Sequence, residues 1–261
     1  MNGRWADLQA RSLSAVGMIA AGGAAIWWGG VWFSALSVLV TGLMVWELAR
    51  MTAPARVAEA RVSGLLAAGA LVFVLYTHSP YMLAALLLPS VLGLLTPRRD
   101  RIIFALYALA VMLTGYGLVA FRDARGLEMI LWIVAVVVAS DIAGYFVGRI
   151  VGGPKFWPRV SPKKTWSGTV AGWFLAVVVG WAFVAMGQAG GALIALSPLV
   201  AFAGQMGDIA ESAIKRRCGI KDSSNLIPGH GGVLDRFDAL LGAVVVLLAV
   251  GLFLPLPQVG G

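Results

Sequence analysis

The most polar stretch of this chain, KDSSNLIPGHGGVLDRFD at residues 221–238, lies between two apolar segments. Six of its residues are ionisable: Lys221, Asp222, His230, Asp235, Arg236 and Asp238. Carboxylates supply the oxygen ligands that hard divalent cations prefer, and Lys and Arg side chains bind phosphate groups. The combination predicts a site for a metal ion and a phosphorylated ligand.

The segment before this stretch adds a second polar surface. Helical spacing places four residues along one face: Gln205, Asp208, Ser212 and Lys215. Asp235 and Asp238 are three residues apart and therefore share a face in the first turn of the next apolar segment. The helix dipole favours a single acid at such a position. It does not explain carboxylates at the ends of two successive segments with cations between them.

The turn itself contains His230, Gly231 and Gly232. Glycine allows the backbone to approach a ligand closely. His230 is either a hydrogen-bond donor to a ligand or a satisfied polar residue of the turn. The chain has 2 histidines, too few to indicate a zinc site.

An acidic residue, Asp141, occurs inside an apolar segment further upstream. A carboxylate at the centre of a bilayer costs a few kcal/mol, so we expect Asp141 to face a polar cavity. The alternative is a structural hydrogen bond to a neighbouring helix. Gly144 and Gly148, four residues apart, are expected to let helices pack closely.

A second loop, SPKKTWSG at residues 161–168, places Ser161, Lys163, Lys164 and Thr165 just before a new apolar segment. Ammonium groups together with the free N–H groups of a helix start form an anion site. The same lysines would also occur in a loop that only sets membrane topology.

Composition places these residues in a membrane protein. Apolar residues make up 60% of the 261 residues, charged residues only 12%, and the mean hydropathy is +0.88. We predict an all-α, polytopic integral membrane protein with about nine transmembrane helices. The predicted spans are residues 12–29, 31–49, 62–78, 80–96, 102–121, 128–149, 168–187, 190–210 and 234–254.

The basic residues predict the orientation. With a cytoplasmic N-terminus, all of the 20 Lys and Arg residues except Arg122 and Arg125 fall in cytoplasmic segments. The net charge of +8 is then explained by topology and by attraction to anionic lipids, and it indicates no nucleic-acid partner. We expect the protein in the bacterial cytoplasmic (inner) membrane.

No repeat or linker divides the chain into separate domains. We predict a single transmembrane domain over residues 1–261, with a helical N-terminal part at 1–127 and a catalytic C-terminal part at 128–261.

The polar residues resemble a known signature. The run Ser212, Ile214, Lys215, Arg216, Lys221, Asp222, Ser224, Ile227, Pro228, His230, Gly231, Gly232, Val233, Asp235, Arg236, Asp238 is similar to that of the phosphatidate cytidylyltransferases, the CDP-diacylglycerol synthases. Asp141, the lysine loop and Asp208 extend the resemblance upstream. One departure is Ser167, where the family usually has Glu, and this argues against a catalytic duty at that position.

The resemblance implies a reaction of CTP with phosphatidate to give CDP-diacylglycerol and pyrophosphate at the cytoplasmic face. It implies Mg²⁺ bound by Asp208 and Asp235. The expected catalytic residues are Asp208, Lys215, Arg216, Lys221, Asp222, His230, Asp235, Arg236 and Asp238. The expected substrate-binding residues are Asp141, Ser161, Lys163, Lys164, Thr165, Ser212, Gly231 and Gly232. Membrane lipids are the surrounding partners, and the oligomeric state stays open, a homodimer included.

Two other classes use similar residues. A CTP-dependent lipid kinase of the polyprenol or dolichol type would share the metal and phosphate chemistry but transfer the γ-phosphoryl group. A transporter would carry paired broken spans in two matching halves, whereas the polar residues here cluster in the C-terminal half.

Overall fold

The structure is a computed structural model that describes residues 2–77 and 79–260, with side chains described from residue 11 onward. Its helices are α1 (Asn2–Trp28), α2 (Gly30–Thr52), α3 (Val57–Thr77), α4 (Leu88–Leu95), α5 (Arg101–Ile150), α6 (Trp166–Ala185), α7 (Ala192–Cys218) and α8 (Leu234–Phe253). A 3₁₀ helix at Pro80–Leu87 precedes α4, and the strands β1 (Lys155–Trp157) and β2 (Ser161–Thr165) precede α6.

Six helices among the described residues are long and apolar enough to cross a membrane: α2, α3, α5, α6, α7 and α8. The prediction of an all-α membrane protein is therefore confirmed. The number of nine spans and the cytoplasmic N-terminus stay predictions, because length and composition give neither.

Two of the predicted boundaries between spans coincide with glycines that have a positive φ. Gly29 (φ 65°) and Gly30 (φ 49°) separate α1 from α2. Gly126 (φ 83°) interrupts the 50-residue helix α5, where the sequence predicted a break between residues 121 and 128. An uninterrupted helix of that length would measure about 75 Å, far more than the roughly 30 Å of a bilayer core. Each half of α5 alone is long enough to span.

A two-stranded antiparallel hairpin lies between α5 and α6, where the sequence predicted no strand. Lys155 pairs with Thr165, and Trp157 pairs with Ser161. Gly152 and Gly153, both with positive φ, follow the end of α5, and the N–H of Trp166 donates to the carbonyl of Pro154 at 3.0 Å. The hairpin therefore connects the end of α5 to the start of α6.

The chain divides into two compact units. Unit 1 comprises Met1–Val119 and Arg217–Phe237, and unit 2 comprises Ala120–Arg216 and Asp238–Gly261. The predicted single domain, with parts at 1–127 and 128–261, stays a prediction. The polar stretch is shared, since residues 221–237 belong to unit 1 and Asp238 belongs to unit 2.

Close helix contacts in unit 1 include α2 against α3, where a Cβ on Gly64 would lie 2.8 Å from the Gly42 carbonyl oxygen. The end of α7 is also fixed in this unit. The Arg217 guanidinium donates to both carboxylate oxygens of Asp100, at 2.9 and 2.8 Å. This pairing holds the pKa of the Asp100 carboxyl below its usual range.

In unit 2, α5 packs closely against α6. A Cβ on Gly148 would lie 2.8 Å from Thr165 Oγ1, and a Cβ on Gly144 would lie 3.5 Å from the carbonyl oxygen of Gly168. The expected packing role of Gly144 and Gly148 is thereby confirmed.

Candidate functional site

The site in unit 2 is built where α7 and α8 approach each other backbone to backbone. A Cβ on Gly207 would collide with the carbonyl oxygen of Asp238 and lie 2.9 Å from the Gly242 nitrogen. A Cβ on Gly204 would lie 3.1 Å from the carbonyl oxygen of Ala239. Small residues on both helices thus allow the approach. This approach brings Asp208, the residue after Gly207, close to Asp238 of α8.

Three carboxylates meet at this crossing. Asp208 and Glu211 on α7 and Asp238 on α8 each offer one oxygen, and these oxygens lie within 4.8 Å of one another. Glu211 is fully buried, and the other two are partly exposed. Carboxylate oxygens at this separation could share one hard divalent cation, so the donor set fits Mg²⁺.

Two lysines neutralise part of this acidic charge. Lys164 Nζ lies 2.5 Å from Asp208 Oδ2, and Lys215 Nζ lies 2.5 Å from Glu211 Oε2 one helical turn away. Ser212 Oγ donates to Asp208 Oδ1 at 3.3 Å. The ammonium groups are in place to pair with additional anionic oxygens as well as with these carboxylates.

The lysine loop supplies one of these cations. Along β2, Lys164 is half-buried and pairs with Asp208, whereas the preceding Lys163 is exposed. An anion site was predicted at the N–H groups that begin α6. One of these groups already has a partner in the chain, because Thr165 Oγ1 accepts the N–H of Gly168 at 3.2 Å. Ser161 begins the strand and pairs with Trp157.

Asp141 lies close to the same charges. Lys164 and Asp208 both act on its carboxylate electrostatically, and Asp141 in turn acts on Asp238. It belongs to the exposed surface of α5. The structure therefore joins Asp141 to the polar cluster of unit 2.

In unit 1, the turn before α8 folds around Asp235. Its Oδ2 accepts hydrogen bonds from Ser223 N at 2.9 Å, Ser223 Oγ at 2.8 Å and Gly232 N at 2.8 Å. A Cβ on Gly231, which has φ 83°, would lie 2.9 Å from the same oxygen. Gly231 and Gly232 therefore let the backbone approach the Asp235 carboxylate closely. Contact of these two glycines with a substrate stays a prediction.

Several predicted site residues of unit 1 are exposed: Lys221, Asp222 and Arg236. Arg216 is also exposed, and it is the last residue of α7 that belongs to unit 2. His230 has a protein partner, since its Nδ1 lies 2.8 Å from Ser14 Oγ. Ser14 lies on α1, so one ring nitrogen of His230 has a partner in the protein, and a hydrogen bond from His230 to a ligand stays a prediction.

The structure places the expected metal ligands Asp208 and Asp235 in different units and groups Asp208 with Glu211 and Asp238. The metal role of Asp235 stays a prediction. Glu211 was not predicted as a ligand, although its position three residues after Asp208 is a usable signal in the sequence. Glu47 was not predicted either, although a charged residue inside an apolar span is itself a signal of function.

Comparisons with known proteins agree with this chemistry. The model of the cytidylyltransferase family matches residues 9–254. A phosphatidate cytidylyltransferase of Brucella suis biovar 1 (strain 1330) is 35% identical over 243 residues, 89% of either chain. The Helicobacter pylori enzyme of the same name is 46% identical over 132 residues, 49% of either chain, and that of Staphylococcus aureus (strain COL) is 36% identical over 144 residues, 53% of this chain and 55% of the relative. The chain belongs to the cytidylyltransferase family.

Proposed function

We propose that this protein is a phosphatidate cytidylyltransferase, which condenses CTP with phosphatidate to CDP-diacylglycerol and pyrophosphate in phospholipid biosynthesis. Relatives of that name cover most of the chain. The observation that carries the proposal is the cluster of Asp208, Glu211 and Asp238 with Lys164 and Lys215 beside it. Such a cluster suits a reaction between two phosphate-bearing substrates.

The reaction needs no strong general base. A phosphate oxygen of phosphatidate, a monoester that is anionic near neutral pH, forms a bond to the α-phosphorus of CTP. The bond from that phosphorus to the bridging oxygen breaks, and the electron pair leaves with pyrophosphate. The barrier comes from bringing two polyanions together, so the protein must position them and stabilise the developing charge.

The carboxylates of unit 2 would hold Mg²⁺ through Asp208, Glu211 and Asp238, and the resemblance adds Asp235. Bound Mg²⁺ would polarise phosphoryl oxygens and neutralise charge on the departing pyrophosphate. The protein contributes the oxygen ligands, because the close approach of α7 and α8 brings Asp208 and Asp238 together.

The cations would orient the phosphates. Lys164 lies on Asp208 and can turn toward a phosphate oxygen when that carboxylate is otherwise engaged. Lys215 is held beside Glu211. We assign phosphate contacts to both, with Arg216, Lys221 and Arg236 as the exposed cations that meet the incoming nucleotide or lipid headgroup.

The location follows from the substrates. The six apolar helices support a multi-pass membrane protein, and the bacterial relatives support the bacterial inner membrane. CTP is a soluble cytoplasmic nucleotide, so we propose that the polar cluster opens to the cytoplasm. Membrane phosphatidate reaches it laterally.

The proposal is tested with the purified full-length protein in detergent, supplied with CTP labelled on its α-phosphorus, phosphatidate and Mg²⁺. Labelled CDP-diacylglycerol with one pyrophosphate per product is the expected result. In a second reaction, CTP labelled on its γ-phosphorus is supplied with a polyprenol in place of phosphatidate, and transfer of the label to the polyprenol hydroxyl group would instead assign a CTP-dependent lipid kinase. The absence of product from both reactions would contradict both functions.

The two adjacent lysines give a matched pair of variants. Lys164→Ala should lower kcat/KM for CTP by about tenfold or more, because a charge-assisted hydrogen bond contributes about 1.5–3 kcal/mol. Lys163→Ala, one residue away and exposed, should change it by less than about threefold. Steady-state kinetics of both variants check this. Equal effects of the two variants would remove the special role of Lys164.

Sidedness is tested by thiol labelling. The label is placed at Asn225, which is exposed, whereas the nearby Ser223 is buried. In a Cys218→Ala background, Asn225→Cys should react with an impermeant maleimide only from the cytoplasmic side, and a cysteine added after Gly261 only from outside. Permeabilised cells provide the control for reactivity. Labelling of Asn225→Cys in sealed, right-side-out cells would refute the inward-facing site.

A further inference from the structure

A buried carboxylate in unit 1 takes no part in the chemistry described above. Glu47 lies on α2, 0% exposed. Its Oε1 accepts hydrogen bonds from Ser224 Oγ at 2.5 Å and Val233 N at 2.9 Å. Its Oε2 accepts one from Leu234 N at 2.6 Å, and Ser223 Oγ lies 3.3 Å away. A carboxylate in an apolar helix is costly to bury unless it is hydrogen-bonded in this way.

The two backbone donors belong to the start of α8. Leu234 is the first residue of that helix and Val233 precedes it. The first N–H groups of a helix have no partner within the helix, and the N-terminus attracts negative charge. Glu47 therefore caps α8 from a different helix, with one oxygen on each N–H group.

The same carboxylate shapes the turn that precedes α8. A Cβ on Gly232 would lie 2.5 Å from Glu47 Oε1 and 2.9 Å from its Cδ, so a larger residue there would push this carboxylate out of its position. Ser223 Oγ lies between Glu47 Oε2, at 3.3 Å, and Asp235 Oδ2, at 2.8 Å. Glu47 and Asp235 thus share one serine and hold the turn from both sides.

We propose that Glu47 is a positioning residue for the reaction. It fixes the 223–234 segment and the first turn of α8 against α2, and so sets where Asp235 and Arg236 are presented to the substrates. This inference rests on the proposed function. Glu47 acts through the turn and does not contact substrate.

Glutamine at position 47 is the decisive substitution. It has nearly the shape of Glu but only one acceptor oxygen, and its NH₂ group would face a backbone N–H group that also donates. One of the buried N–H groups of Val233 or Leu234 must then lose its partner. Aspartate keeps both acceptor oxygens on a shorter side chain, so Glu47→Asp should restore part of what Glu47→Gln loses.

The experiment uses purified full-length variants, with kcat and KM for CTP measured beside amide hydrogen exchange of residues 222–236. Glu47→Gln should lower kcat by about 10²-fold with a smaller rise in KM for CTP, because the displaced segment carries both Asp235 and the nucleotide-facing Arg236. Exchange in the segment should become faster. The control is Glu59→Gln, which removes a carboxylate that pairs with Arg56 and Arg98 in the same unit and should leave both readouts unchanged.

Each outcome decides the proposal. A kcat of Glu47→Gln within about threefold of the unsubstituted protein, or unchanged exchange in the segment, overturns it. If Glu47→Gln does not fold, Ser224→Ala replaces it, and normal kcat together with normal exchange in that variant overturns the inference equally. Should the unsubstituted protein form no CDP-diacylglycerol, the proposed function fails, and hydrogen exchange still decides whether Glu47 holds the segment.

Discussion

Asp208→Asn is expected to abolish cytidylyl transfer while the protein still inserts and folds. Asp208 provides an oxygen to the three-carboxylate cluster and pairs with Lys164. An amide carries no charge to hold Mg²⁺, and the loss of several kcal/mol of charge stabilisation at about 1.4 kcal/mol per factor of ten corresponds to at least about 10³-fold in kcat. Production of CDP-diacylglycerol by the purified variant is the measurement.

The control is Asp123→Asn, which changes an exposed carboxylate of the same unit. It should retain full activity. Binding of Mn²⁺, followed by electron paramagnetic resonance in the absence of substrates, reports on the site directly and should weaken in Asp208→Asn and in Asp238→Asn. Near-normal turnover of Asp208→Asn at ordinary Mg²⁺ would remove this residue from the centre.

The same measurement distinguishes two sets of ligands. The geometry of unit 2 favours Asp238 beside Asp208, whereas the family resemblance favours Asp235, whose Oδ2 already accepts three hydrogen bonds from the turn. Retained Mn²⁺ binding in Asp235→Asn with lost binding in Asp238→Asn would support the geometric set. The reverse result would show that the ligands are those of the resemblance.

Gly207→Ala is expected to lower both the stability of the protein and its turnover. The added methyl group would meet the backbone of Asp238 and Gly242, which cannot move aside as a flexible side chain can. Overpacking of this kind costs about 1–3 kcal/mol and occasionally more. A shift of about 1 Å between Asp208 and Asp238 would lower kcat by about 10²-fold. Thermal unfolding in detergent and kinetics should therefore both change.

Gly69→Ala is the matched control for this variant. Gly69 lies in the apolar helix α3, and a Cβ there would meet no atom within 4 Å. Because alanine is the better helix former by about 1 kcal/mol, Gly69→Ala should keep or raise the unfolding temperature and leave kinetics unchanged. Equal behaviour of the two glycine variants would show that the α7–α8 contact is not what holds the site.

The sequence alone determined the class of the protein and its chemistry. Composition and the lengths of the apolar runs predicted a helical membrane protein, which the six long apolar helices confirm. The breaks at Gly29 and Gly126 were predictable because the loss of apolar continuity and the presence of glycine are local signals. The signature between residues 212 and 238 indicated the family, which the match over residues 9–254 shows.

Some local structure was missed for local reasons. The hairpin of β1 and β2 contains two prolines and several charges within a few residues, a composition that is more typical of a loop. Its effect on the site is to place Lys164, rather than both lysines, against Asp208. Strand alternation, which turns successive side chains to opposite faces, is the physical cause.

Only the tertiary structure decided which charges act together. Asp235 and Asp238 share a helix turn and were equivalent by spacing, yet Asp238 joins Asp208 and Glu211 while Asp235 is bound by its own turn. Glu47 and Leu234 are 187 positions apart in the chain, and no periodicity relates them. Spacing specifies which residues share a face of one helix, but contacts between helices depend on where backbones can approach, and that is set by the packing of small residues such as Gly204 and Gly207.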